Sequence, residues 1–266
     1  MQFVKGDCMD YLPGFDDGFF DLAIVDPPYG GGSILMQQSS GTSTEGSGNG
    51  STATSIRQGG RAWSNSYTLR GGAGSTLTPN AKVGRTGGTW ATKYQTNGGI
   101  FDHDIRHWDI APDKDYFDQL FRVSKNQIIW GGNYFELPPT RCFVVWRKTN
   151  IPLRGFTMAP CEYAWTSFNR NAVMFEYTSS GHPGAGRIHP TQKPVALYEW
   201  LLDQFAEPGM RVLDTHVGSG SSAIACKQCG YDFIGFEIND TYYAMASERI
   251  EMETRQETIF GLLGVE

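Results

Sequence analysis

Four consecutive residues, Asp26-Pro27-Pro28-Tyr29, close the apolar run Phe20 to Val25 and lead into Gly30. An amino group attached to a heteroaromatic ring is a poor nucleophile, because its lone pair is delocalised into the ring. Two fixed acceptors can draw its N–H bonds out of plane, and the Asp26 carboxylate and Pro27 carbonyl form such a pair. Pro27 and Pro28 lock φ and carry no competing N–H. Tyr29 offers a ring on which an extruded base can stack, and a π-face for a nearby cation. An ordinary Pro-rich turn is the bland alternative. Four specified residues at a strand end speak against it, so these four are the candidate catalytic residues.

A second constellation lies in the last third of the chain. Met210 to Asp214 reads as a strand, Thr215-His216-Val217-Gly218-Ser219-Gly220 as a glycine turn, Ser221 to Cys229 as a helix and Asp232 to Glu237 as the next strand. A carboxylate ending the second strand, about 20 residues after such a turn, is placed to accept two ribose hydroxyls of a nucleoside. Gly218 and Gly220 permit close backbone approach. Two glycines followed by Ser221-Ser222-Ala223 depart from the dinucleotide pattern, which favours a nucleoside ligand without phosphates, such as S-adenosylmethionine. Tight strand-to-helix turns also use glycine for packing alone.

The elements that must position these groups follow an α/β grammar. Further strands are expected at Asn126 to Trp130, Cys142 to Trp146 and Glu162 to Thr166, with helices at Tyr116 to Val123 and Pro194 to Phe205. The expected fold is a doubly wound, mostly parallel sheet, Rossmann-like, with room for antiparallel edge strands. The segment from Gly31 to Ile100 breaks the pattern. It holds 16 of the 33 glycines and no sustained period, and six bases (Arg57, Arg61, Arg70, Lys82, Arg85, Lys93) stand against Glu45. Its net +5 leaves −11 on the remainder of a chain whose total is −6. The division expected is therefore 1–30, the catalytic half of the main domain; 31–100, a basic Gly/Ser-rich insertion; and 101–266, the rest of the domain with the cofactor unit. Trp63, Tyr67, Trp90 and Tyr94 interleave with the bases, which suits a loop contacting DNA phosphates and nucleotides and equally suits a solvated decoration or a small packed hairpin.

Other chemistry is disfavoured. His103 and His107, with Asp102, Asp104 and Asp109, have helix-face spacing but no completing ligands, and Cys226-x-x-Cys229 has no second pair, so no metal is expected. Five cysteines without framework spacing suit free thiols. No apolar run reaches the roughly 20 residues of a membrane span, and a cytoplasmic protein is expected.

Together, Asp26-Pro27-Pro28-Tyr29-Gly30, His189-Pro190-Thr191-Gln192-Lys193-Pro194, Val212-Leu213-Asp214 with Gly218-Ser219-Gly220, and Ile234-Gly235-Phe236-Glu237-Ile238 resemble the amino-group DNA methyltransferases. The tetrad precedes the cofactor motif, which is similar to the permuted, beta-type order. Asn126 to Phe135 looks like a block of its adenine-modifying members, phage and bacterial. The resemblance implies methyl transfer from S-adenosylmethionine to adenine N6 in double-stranded DNA, a possible restriction endonuclease companion, and a monomer or dimer. Asp7 and Cys8, after a short first strand, then match the segment that takes the cofactor adenine. Glu237 matches the ribose ligand, and Asp214, Thr215, Gly218, Ser219 and Gly220 the methionine-side loop. Thr191 and Lys193 match the segment closing over the amino-acid end. A lysine there suits a cofactor carboxylate; the alternative is a solvated charge before a helix. Asp26 itself adjoins the cofactor. Asp214-Thr215-His216 departs from the common Asp-Pro-Phe, leaving that packing open. Cytosine N4, RNA, and a catalytically idle DNA-binding protein are the competing readings.

Overall fold

The structure, a computed structural model, describes residues 1–30, 110–153, 159–179 and 188–263, with side chains as far as 255. The basic insertion, 31–100, lies outside the described residues, as do His103 and His107 with their neighbouring acids.

One sheet of eight strands forms the core: β1 (Gln2–Lys5), β2 (Phe20–Val25), β3 (Ser124–Trp130), β4 (Phe143–Lys148), β5 (Cys161–Thr166), β6 (Val173–Tyr177), β7 (Arg211–Asp214) and β8 (Asp232–Glu237). Their order is β1-β8-β7-β2-β3-β5-β4-β6. Every pairing is parallel except those of β5, which runs against both β3 and β4. The reversed strand thus lies inside the sheet, not at the edge where sequence reading allowed for one. Leu22 pairs with Val212 on one side of β2 and Asn126 on the other, which makes β2 central.

Burial on both faces explains the nearly continuous apolar runs of the strands. Leu22 and Ile24 point to one face, where they join Leu197, Leu201, Ala223, Ile224 and Ile250. Ala23 and Val25 point to the other, with Leu12, Tyr116, Leu120 and Val123. Among the described residues four helices cover these faces: α1 (Lys114–Val123), α2 (Val195–Phe205), α3 (Ser221–Gln228) and α4 (Asp240–Leu263). In α1 the buried Tyr116, Leu120 and Val123 recur at one-turn spacing, and the Asp113 carboxylate accepts the Tyr116 N–H at 3.1 Å. That cap satisfies one of the otherwise unpaired first-turn donors. Six of the eight α3 residues are buried, so small side chains there serve packing against neighbouring helices and β8. The edge strand β6 and helix α4 had no counterpart in the reading above.

Candidate functional site

The ends of β1, β2, β3, β7 and β8 lie along one edge of the sheet, and the chain leaves them at Gly6-Asp7, Asp26, Gly131, Thr215 and Ile238. Ligands of parallel α/β sheets bind along this carboxyl edge.

At the end of β2, Asp26 is only partly buried and both its oxygens are engaged. The Tyr29 hydroxyl donates to Oδ1 at 2.7 Å, and the Lys193 ammonium donates to Oδ2. Burial, then the negative charges of Asp26 and Glu162, push the Tyr29 phenol up, so it remains a donor. The tyrosine is therefore held by its polar tip as well as by its ring. Gly131 packs directly against that ring, where a Cβ would sit 2.1 Å from it, and Gly131 has φ +68°. Tyr134 stacks on Tyr29 with centroids 4.9 Å apart and planes at 19°. Pro27 is buried and Pro28 half-buried between these anchors.

Lys193 is 3% exposed, with its ammonium between Asp26 and Glu162, 3.3 Å from Glu162 Oε2, and 5.1 Å from the Trp130 ring centroid. It is not the solvated charge before a helix that the sequence left open: its partners among the described residues are two carboxylates of the chain itself. Glu162 in turn pairs with the buried Lys148 at 2.5 Å. Burial alone would lower the Lys193 ammonium, but the two carboxylates outweigh it and raise it; for Glu162, Lys193 and Lys148 outweigh burial and lower it. Sequence reading missed Glu162, Lys148 and Tyr134. The reversal of β5 explains the first: its starting residues reach the edge where its neighbours end. An acid opening an otherwise apolar strand was the available signal.

The neighbouring corner is built without lysine. Asp214 is buried; its Oδ1 accepts the His216 N–H at 2.9 Å and its Oδ2 the Ser222 hydroxyl at 2.5 Å. Burial pushes its carboxyl up to about 7. Glu237 accepts the N–H of Gly218 at 2.8 Å and of Asn239 at 2.9 Å, and burial raises it too. Asp7, at the exposed rim, caps a short turn by accepting the Met9 N–H at 2.9 Å. The adjacent Cys8 thiol is pushed up to about 12, chiefly by burial, and is no nucleophile. Thr215 joins helix α1 to the turn, 2.6 Å from the Tyr116 hydroxyl and 2.9 Å from His216 Nδ1. Burial lowers His216 to about 4, so it is neutral near pH 7.

Gly218 has φ +55°, and a Cβ there would meet nothing nearer than the His189 ring at 3.5 Å. Gly220 has φ +83°, and a Cβ would press Ile250 at 3.0 Å. The first glycine faces the His189 ring at ordinary contact distance, and the second serves packing against Ile250. Ser219 is buried, with its hydroxyl 3.2 Å from that of Ser221. The exposed Thr191 places its hydroxyl 3.1 Å from His189 Nδ1. The Ser221 hydroxyl donates to the Lys193 carbonyl at 2.7 Å. Lys193 thereby ties the glycine turn through its backbone and Asp26 through its side chain. Cys226 is buried on α3 and Cys229 exposed just beyond it. Among the described residues no cluster of three His, Cys, Asp or Glu could hold a metal ion.

The chain is 46% identical over 65 residues to the type II methyltransferase M.HpaI of Haemophilus parainfluenzae, covering 24% of this chain and 21% of that protein. It is 38% identical over 136 residues to the type II methyltransferase M2.DpnII of Streptococcus pneumoniae, 41% of this chain and 50% of that one. Each alignment thus spans half or less of the relative. Among solved structures, the M1.HpyAVI complex with S-adenosylmethionine is similar with a TM-score of 0.49 at 16% identity, covering 93% of this chain and 98% of that one. The DNA methylase family of N6 and N4 type matches residues 20–248, and the chain belongs to that family.

Proposed function

We propose that this protein transfers a methyl group from S-adenosylmethionine to the N6 amino group of adenine in double-stranded DNA, by direct displacement on a base turned out of the helix. The observation that carries this reading is the Asp26 carboxylate. It is fixed between the Tyr29 hydroxyl and the buried Lys193, one strand away from an acid-rich turn.

The turn fits the cofactor chemically. Glu237 accepts from the backbone N–H groups of Gly218 and Asn239, with that of Ile238 also favouring its charged form, and its remaining acceptor capacity suits ribose hydroxyls. Asp7, Asp214 and Glu237 have no ion pair among the described residues, an environment that suits a ligand carrying a sulfonium and an ammonium. When bound, S-adenosylmethionine supplies an electrophilic methyl group. The chain's own residues orient the nucleophile. Asp26 and the Pro27 carbonyl accept the two amino N–H bonds, which turns the nitrogen lone pair out of the ring plane, and Tyr29 stacks on the base. With the cofactor bound, Asp26 would be the first acceptor for the proton that the methylated nitrogen releases. An aspartate at the first tetrad position supports adenine, since the cytosine-N4 members this chain resembles more often carry serine there.

The type II relatives support a paired restriction endonuclease in the same cell, and the cytoplasm as the setting. Among the described residues no helix is long and apolar enough to cross a membrane.

The test is mass analysis of nucleosides from duplex DNA incubated with protein and cofactor. N6-methyladenine is expected. N4-methylcytosine would overturn the base assignment, and unmodified DNA would overturn the reaction. In Asp26→Asn the rate should fall by about 10²–10³, while cofactor Kd by calorimetry stays within about tenfold, ~1.4 kcal/mol.

A further inference from the structure

Tyr29 has anchored contacts and one loose one. Its hydroxyl is held by Asp26 at 2.7 Å, Gly131 packs against the ring, and the Phe135 ring meets it edge-on at 6.1 Å and 66°. The remaining aromatic contact is the stacked Tyr134. Tyr134 itself is 62% exposed, and its hydroxyl makes no hydrogen bond among the described residues. It ends the short helical turn Gly132–Tyr134, between Gly131 at φ +68° and the extended Phe135. A large ring left in water on one side and stacked on the tetrad tyrosine on the other occupies the kind of surface a planar base requires.

We propose that Tyr134 is a positioning residue for the target base. Its ring covers the stacking face of Tyr29 while no base is present, and forms the second wall of the slot once the base has entered. The inference rests on the methyl-transfer reading above. A base between two rings places their centroids about 7 Å apart, the upper end of the aromatic contact range. From 4.9 Å, Tyr134 must withdraw by roughly the depth of half a ring, which rotation of an exposed side chain accomplishes on a fast timescale. One stacking contact is given up and two are gained, so entry of the base is compensated where extrusion from the duplex is costly. The fixed tyrosine sets the plane of the base, and the movable one admits and then holds it.

The test uses the full chain and a duplex containing a motif that the wild type methylates, with 2-aminopurine at the target position for fluorescence. Tyr134→Ala should raise KM for the unlabelled duplex about tenfold, in the range found when one base-stacking ring is removed. It should change kcat less than threefold and leave cofactor Kd within twofold. In the labelled complex its emission should exceed that of wild type, because one quenching ring is gone. Tyr134→Phe should match wild type throughout, since the ring and not the hydroxyl is required. Tyr134→Ala indistinguishable from wild type in KM and emission would overturn the proposal, as would Tyr134→Phe failing like Tyr134→Ala. Wild-type methylation of the unlabelled duplex is the internal control. Its loss sinks the reaction itself, whereas its presence with an inert Tyr134→Ala sinks only the role of Tyr134.

Discussion

Asp26 and Glu162 share the buried Lys193, and Glu162 pairs with Lys148 as well, whereas Asp214 and Glu237, on neighbouring strand ends, have no cation within ion-pair distance among the described residues. The first corner is neutral as a group and its charges are locked in place. The second relies on backbone N–H groups and a serine hydroxyl, and burial raises both of its carboxyls. The difference separates two tasks on one sheet edge. A corner that must hold one acceptor in fixed geometry benefits from internal compensation. A corner whose carboxyls have no cation of the described chain beside them, and are raised by burial, is the one we propose takes the positively charged cofactor.

The sharpest way to break this contrast is to remove the cation of the first corner. Lys193→Met leaves the partly buried Asp26 without a cation and Glu162 with Lys148 alone, and should cost about 3 kcal/mol of stability, the lower end for a broken buried pair. Denaturant unfolding measures it. The double variant Lys193→Met with Asp26→Asn should recover a substantial part, because one of the orphaned charges is gone. A Lys193→Met loss under about 1 kcal/mol, the scale of an exposed pair, would mean that the corner is not compensated in the way described.

The second corner should respond to pH instead. With its carboxyl raised to about 7, native Asp214 keeps a proton that the unfolded chain releases near its ordinary value of 3.8. Its contribution to stability is therefore intact below about pH 4 and is lost as pH rises through 7. Asp214→Asn should match the wild type near pH 4 and exceed it at pH 8 by up to about 4 kcal/mol, the value of three pH units. The Ser222 hydroxyl can turn to accept the new amide. Thermal melts of the ligand-free protein across this range decide it, and a variant equally or less stable at pH 8 counts against an unmatched Asp214.

A smaller effect is expected at Glu237. Glu237→Gln keeps the shape but removes the charge, and calorimetry should show cofactor Kd rising tenfold or more, about 1.5–3 kcal/mol. An unchanged Kd would show that the carboxylate serves only Gly218 and Asn239.

The parts of this arrangement that were readable in the sequence are those set by local pattern. The apolar run into Asp26, the glycine turn after Asp214 and the acid ending β8 lie next to the strands that place them, and helix α1 has its one-turn spacing within ten residues and its cap, Asp113, just before them. What could not be read depends on sheet order. Glu162 reaches Lys193 because β5 runs backwards between β3 and β4, and Lys148 follows because β4 pairs with β5. Lys193 itself was singled out, but its partner lies 167 residues away in the chain. The weakly alternating Val173–Tyr177 gave no period strong enough to announce a strand at the edge.

The pairing of β1 with β8 also has a consequence for how the protein is made. Gln2 to Lys5 take their places beside Ile234 to Glu237, so β1, once it has left the ribosome, waits for a partner about 230 residues later. At roughly 5–20 residues per second, that wait is on the order of 10–50 seconds. Through most of it β2 also lacks β7, and the nascent chain presents a strand edge and the apolar face of Leu22 and Ile24 without their cover. Slow closure of such distant pairs is intrinsic to this strand order. The chain should therefore depend on chaperones during synthesis more than its finished sheet suggests, and the tetrad, though translated early, becomes a site only when the last strand is home.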